Sequence, residues 1–424
     1  MTRAAELSRR ALLAISGPWF GLSMLGDGLS ALLLPYLLLV AVAADLQATL
    51  LGLTTLAGYV LGMIIQPVAG ALSDITRRRR PLLIGGALIA FGGLAALGIG
   101  SAAGVPAVLV GYLVAVGGAN TAQAGLQAMV PDRVRGSRRG RAAGLKGLMD
   151  VGGAFAAFAV LAVLLANGHA IIGLLVLGTG LGLTVAVGAG SASASEGPTS
   201  PSRSAISPSA LWSGLGHRRA FMTLLISRFC FLLGIYAVGR FLVLFIGHRL
   251  GLDAEATASE AGIVLAMLAL LTAIASVPAG WAADRLGWRP LMIGGAVVAA
   301  IGMGLLPLAT STPQIAILGG LLALGTATFG AGSWALATDL VPREEAGRHM
   351  GIANYATAGA AAAAGLLGPI VDAGNSFAPG AGFTAVMLVS ATAALAGGII
   401  AVRLPDGTST AAIPVPTGYA PWKD

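Results

Sequence analysis

The sequence predicts an all-α membrane protein of twelve transmembrane helices in two pseudo-symmetric six-helix bundles. Three observations carry this. The 424 residues are 56% hydrophobic and 10% charged, with a mean hydropathy of +0.87, whereas a soluble domain averages about 25% charged residues. Twelve apolar runs are each long enough for a bilayer, whose hydrocarbon core takes roughly 20 helical residues to cross. A short polar loop also occurs twice, 210 residues apart, so the chain divides into two like halves.

The loop reads GALSDITRRRRP at 70–81 and GWAADRLGWRP at 280–290. Each copy has a glycine, an aspartate four residues on, a basic cluster, and a proline opening Pro-Leu-x-Ile-Gly-Gly (Pro81 to Gly86, Pro290 to Gly295). A second echo follows the fourth and tenth runs. There, Val130-Pro131-Asp132 leads through a basic stretch to Gly140-Arg141-Ala142-Ala143-Gly144, and Val341-Pro342-Arg343 leads to Gly347-Arg348-His349-Met350-Gly351. The two separations differ by four residues, all in the loop, where insertions are tolerated.

The twelve runs lie near 17–42, 48–72, 81–101, 105–130, 142–166, 170–190, 220–247, 259–282, 290–309, 314–341, 349–371 and 381–402. They give an N-terminal bundle over 1–190, a linker over 191–219, a C-terminal bundle over 220–403 and a tail over 404–424. The linker is rich in Ser, Pro and Gly and cannot build a core, so a flexible connection is expected. Arg9 and Arg10 ahead of Ala11 to Ile15 have the look of a signal peptide. Gly17, Pro18, the mid-run Asp27 and apolar sequence on to Val42 argue instead for an uncleaved first helix. Glycine, at 63 residues, is read as packing surface, because small residues let helices approach closely in lipid.

A net charge of +8 would suit a nucleic-acid binder if the cations shared a soluble face. They sit instead in every second loop. The groups are Arg3, Arg9 and Arg10; Arg77 to Arg80; Arg133, Arg135, Arg138, Arg139, Arg141 and Lys146; Arg203, Arg218 and Arg219; Arg285 and Arg289; Arg343 and Arg348; and Arg403 and Lys423. The alternate loops hold Arg249 and the acids Asp45, Asp253, Glu255, Glu260 and Asp372. This alternation puts both termini and the linker in the cytoplasm of a multi-pass plasma (inner) membrane protein. The partner is the lipid bilayer, and nucleic acid is excluded.

Other chemistry is absent. Cys230 is alone in an apolar run, so disulfide, zinc and iron–sulfur sites are not expected. Gly144-Leu145-Lys146-Gly147 lacks the spacing and the hydroxyl of a phosphate-binding loop, and no soluble domain is large enough to hydrolyse anything. The chain is therefore expected to be a monomer without cofactors and not an enzyme, and any transport would draw on a gradient.

The loops make the chain resemble the major facilitator superfamily. Its members carry Gly-x-x-x-Asp-(Arg/Lys)-x-Gly-x-Arg-(Arg/Lys) between helices two and three and a weaker copy between eight and nine. Here the second copy matches better, with Gly280, Asp284, Arg285, Gly287 and Arg289 in place. The first keeps Gly70, Asp74, Arg78, Arg79 and Arg80 but has Ile75 and Arg77 at the basic and glycine positions. The resemblance spans all twelve runs and implies that Asp74 and Asp284 gate. In that family the loop aspartate meets arginines and a helix N-terminus across the cytoplasmic gap and latches the halves while the cavity faces outward. A carboxylate gains from an arginine fork and a helix dipole at such an interface. The alternative is that these loops are membrane anchors with incidental acids.

Ionisable residues within spans are costly in lipid and mark candidate sites. Asp27 sits mid-run in the first, Asp150 in the fifth, and Arg228 and Arg240 in the seventh. Superposing Leu25-Gly26 on Leu233-Gly234 puts Arg228 seven residues to the cytoplasmic side of Asp27 and Arg240 five residues beyond it, both within side-chain reach at about 1.5 Å per residue. Helices one and seven face each other in the family. Asp27 is thus the candidate proton or cation coupling site, with a helix-seven arginine as a switchable partner or as the anchor of an anionic substrate. A static Asp–Arg pair is the competing account. Asp150 is a second coupling candidate, although Lys146 four residues earlier favours a local ion pair. Asn120, Gln123 and Gln127 share a helix face and, with Asn354 and Tyr355, are expected to line a polar cavity or to bond neighbouring helices. Gln66, Tyr59 and Trp334 are weaker candidates.

The reading favoured on these grounds is a secondary transporter exporting small drug-like or amphipathic molecules in exchange for protons. The runner-up is a coupled importer of sugars or organic anions. A membrane scaffold that does not transport is the alternative of another class, and paired gate loops argue against it.

Overall fold

The computed structural model describes residues 9–76, 78–133, 139–192, 219–340 and 346–404. Among them every regular element is helical, and twelve helical stretches are long and apolar enough to cross a membrane. The first span is composite: α1 (Arg9–Asp27), a π-helical segment (Gly28–Leu33) and α2 (Leu34–Ala41) run on without a loop. Then come α3 (Gln47–Thr76), α4 (Arg79–Ala103), α5 (Val105–Arg133), α6 (Arg139–Ala166) and α7 (Ala170–Ala192). The second half comprises α8 (Arg219–Leu250), α9 (Ala254–Leu286), α10 (Trp288–Leu305), α11 (Thr312–Leu340), a span broken into α12 (Ala346–Gly365) and α13 (Gly368–Phe377), and α14 (Ala381–Ala401). The expected linker falls outside the described residues apart from 191, 192 and 219, and the tail apart from 404, as do Arg77, Arg135, Arg138 and Arg343.

The outer wall is what lipid requires. Ile64, Val68, Ile99, Val163, Leu183, Ile274, Ile317 and Ile399 are each more than half exposed, a girdle that water would not tolerate.

Within each half, glycine sets how closely neighbours pack, and it explains the repeated Gly-Gly pair. A Cβ on Gly86 would lie 2.3 Å from the Ala122 nitrogen of α5, and one on Gly295 would lie 2.7 Å from the Phe329 nitrogen of α11. Only glycine lets backbone meet backbone at these crossings. The preceding Gly85 and Gly294 face open space. The two halves therefore spend the second glycine on the same contact, α4 on α5 and α10 on α11.

The halves meet along α3 against α12–α13 and along α6 against α9. At the end remote from the termini this contact is tight. Cβ atoms on Gly52 and Gly365 would strike each other's backbone carbonyl at 2.2 and 2.3 Å, and one on Gly262 would lie 2.6 Å from the Ala162 side chain. Asp372, expected in a loop, is instead a buried residue of α13. It crosses to the other half and accepts from the Ala48 and Thr49 amides at 3.2 and 2.6 Å. Those amides open α3 and have no partner within their own helix, so a carboxylate there satisfies them and meets the positive end of the helix dipole. Tyr36 donates to Glu255 (3.5 Å) at the same end. Asp253, also expected in a loop, caps α9 by accepting from the Ala256 amide at 2.8 Å.

Candidate substrate cavity

The halves enclose a cavity of about 1300 Å³. Its deep end is walled by Ser30, Tyr59, Tyr112, Arg240 and Leu265, and its mouth by Gln127, Lys146, Trp334 and Asn354, near the ends of their helices on the side of the termini. The cavity is thus closed at the far end and open at the termini end.

Asp27 is the last residue of α1 before the π-helical turn, and its side chain is exposed to the cavity. The residue after it explains how the helix is held there. A Cβ on Gly28 would lie 2.8 Å from the Ala157 side chain, so the glycine lets the first span press against α6 while Asp27 faces the other way. The widened turn carries an extra residue, and such insertions concentrate at functional sites. Within it Ser30 shares a 3.1 Å hydrogen bond with the Tyr112 hydroxyl of α5. No hydrogen bond or ion pair to the Asp27 carboxylate occurs among the described residues.

The two arginines of α8 diverge. Both are 7% exposed. Arg240 lines the cavity, with its guanidinium 5.3 Å from the centre of the Tyr59 ring. Arg228 lies outside the lining; it donates to Ser333 (2.6 Å) and sits 4.9 Å from the Trp334 ring centre, within the C-terminal half. The expectation that either could serve Asp27 therefore narrows to Arg240, and no ion pair joins the two in this form. Between the arginines, Tyr236 lines the cavity within electrostatic reach of Asp27, Tyr59 and both guanidinium groups.

Asp150 is in the local pair that its spacing suggested. Lys146 meets it at 2.5 Å and Ser23 donates to it at 3.4 Å, while the Lys146 ammonium lies 4.1 Å from the Trp19 ring centre. Asp150 is not among the lining residues, but Lys146 is.

The amide-bearing candidates come together. Asn120, Gln123, Gln127, Asn354 and Tyr355 all line the cavity. Some also bond to neighbours: Gln66 donates to Asn120 (2.7 Å), and Tyr355 donates to the Met63 carbonyl of the other half (3.0 Å). Tyr112, Tyr236 and Ser30 were not legible as cavity residues, because aromatic and hydroxyl side chains within apolar runs are the usual stuff of helix contacts.

At the termini end, Gly70 and Gly280 have open space where a Cβ would go. The Asp74 side chain lies outside what is described. Arg78 is exposed, and Arg79 donates to Ser73 on its own hairpin. Asp284 and Arg285 are exposed, and no ion pair involves them among the described residues. Gly287 turns the chain between α9 and α10 at φ +82°, which explains glycine at this point of the motif. Arg289 donates to the Val402 carbonyl.

Two six-helix halves around a central cavity, closed at one end and open at the other, define a solute transporter of the two-bundle kind. The family model of the Major Facilitator Superfamily matches residues 19–258 and 224–424, and the chain belongs to that family of membrane transporters. Solved structures with the same fold include the nucleoside transporter NupG (TM-score 0.70, 13% identity, 93% of this chain and 98% of that one). A D-xylose-proton symporter is similar as well (TM-score 0.71, 16% identity, 94% and 97%). So is a bacterial homolog of the human lysosomal transporter Spinster, in an inward-facing and occupied conformation (TM-score 0.73, 14% identity, 93% and 96%). No curated protein matches the chain in sequence.

Proposed function

We propose that this transporter works by alternating access, exporting small amphipathic organic molecules in exchange for protons that bind Asp27. The observation that carries this is an ionisable carboxylate without a partner among the described residues, facing a cavity of about 1300 Å³ between two bundles. A charge inside the membrane is expensive unless it meets water, a counter-charge or a proton, and as the cavity alternates and its water is exchanged or lost the last two must make up the difference. With the termini in the cytoplasm the form described is inward-open. Asp284, exposed and without an ion pair among the described residues at the open mouth, would close it in the opposite form together with Asp74. The apolar share of the lining (Leu22, Leu25, Leu29, Ile235, Leu265) supports amphipathic cargo. A coupled importer would use the same cavity, and the amides of Asn120, Gln123 and Gln127 on its wall favour hydroxyl-bearing cargo in that case.

Reconstituted vesicles with an imposed pH gradient test the proposal. A cargo panel should move against its own gradient toward the acidic side, and Asp27→Asn should abolish this uphill movement while leaving exchange down a cargo gradient. Uphill movement that survives in Asp27→Asn removes Asp27 from coupling, and movement toward the alkaline side replaces export with import.

A further inference from the structure

Arg240 ends the cavity with a charge that no carboxylate among the described residues balances. It is more than nine-tenths buried, its Nε has no hydrogen-bond partner, and no carboxylate lies within ion-pair distance of it among the described residues. Tyr59 offers the face of its ring and no negative charge. A buried guanidinium left this way is a binding site waiting for its counter-ion, because its fixed fork of donors suits the planar oxygens of a carboxylate or the faces of a sulfonate.

The residue before it opens a second space. Gly239 lines both the main cavity and a side pocket of about 160 Å³ between α8, α9 and α11. Ile235 and Leu265 are likewise shared, so the two spaces adjoin at this point. The side pocket is walled by residues such as Leu242, Val264, Leu268 and Leu322. Its two threonines, Thr272 and Thr326, spend their hydroxyls on carbonyls of their own helices, at 2.8 and 2.7 Å. The pocket therefore presents no free polar group. A dry apolar cavity of this size holds a group as large as a benzene ring.

We infer that the cargo is an amphipathic organic anion, whose carboxylate or sulfonate lies on Arg240 while an aryl or branched alkyl group enters the side pocket past Gly239. This rests on the reading of the cavity as the transport site and specifies what it selects. Arg240 supplies the charge preference, and Gly239 keeps the pocket mouth open, since a Cβ there meets nothing within 4 Å.

The purified full-length protein can be titrated with short aryl-carboxylates, the matching amides and the matching ammonium compounds, with thermal unfolding as the readout. Aryl-carboxylates should raise the melting temperature, and amides and ammonium ions should not. Arg240→Gln should weaken the response about 10- to 100-fold, the range for loss of a charge-assisted contact, and Arg240→Lys should restore part of it. Gly239→Leu, which fills the junction, should reduce aryl-carboxylates to the affinity of their short alkyl counterparts. Equal stabilisation by the amide, a response unchanged in Arg240→Gln, or no response to any carboxylate overturns the inference. Binding that depends on Arg240 without movement in vesicles would refute the transport reading and keep the anion site. Gradient-driven movement of neutral or cationic cargo that ignores Arg240 would do the reverse.

Discussion

At the scale of single residues, the central cavity and the closed end are governed by carboxylates in different circumstances. Asp27 faces the cavity without a partner, whereas Asp372 is committed to two amides of the opposite half. Hydrogen bonds to a charged group contribute about 1.5–3 kcal/mol each, enough to tilt a balance between two forms. Asp372→Asn keeps the shape and loses the charge. It should shift the population about tenfold or more away from the form closed at that end. Spin labels at the exposed Leu46 and Phe377, in a Cys230→Ser background, would register this as a longer distance population. An unchanged distance distribution would mean that helix packing alone holds the end shut.

At the scale of elements, closure depends on bare backbone. Gly52 of α3 and Gly365 of α12 touch through their carbonyls, so a side chain at either position blocks the approach. Gly52→Leu should therefore hold the far end open and reduce transport to less than about a tenth of the parent rate, since a leucine here cannot be accommodated without parting the helices. Labelling of a Ser30→Cys variant in a Cys230→Ser background by a membrane-impermeant thiol reagent, added from the side away from the termini, should rise in parallel. The π-helical turn after Asp27 belongs to the same scale. It widens the first span where that span must face the cavity on one side and press on Ala157 through Gly28 on the other.

At the scale of the whole molecule, the duplication makes a paired prediction. Gly86→Val and Gly295→Val should each destabilise the protein by about 1–3 kcal/mol or more, because both force apart equivalent crossings. Gly85→Ala and Gly294→Ala should be neutral or stabilising by up to about 1 kcal/mol, since both face open space. Thermal unfolding in detergent measures all four, and unlike responses within a pair would deny the equivalence of the halves. The twelve spans and their division were legible because bilayer thickness and loop repetition are signals along one dimension. Asn120, Gln123, Gln127, Asn354 and Tyr355 could be grouped because helical spacing puts them on faces. What separated Arg240 from Arg228, or drew Asp372 across to α3, was the rotation of each helix about its axis and the identity of its distant neighbour. Neither is written locally: Asp372 near a run's end reads as a loop acid until the amides of Ala48 and Thr49 are set beside it.

That seal has an unequal inheritance. The groups it grips on α3 are main-chain amides, which every residue except proline supplies, so the chemistry of the grip does not depend on the side chains at positions 48 and 49, although the buried Ala48 must stay small. On the electrostatic side, adjustment of how firmly the far face shuts therefore falls largely on Asp372, and relatives with a faster or slower cycle should differ there before they differ in the stretch of helix it holds.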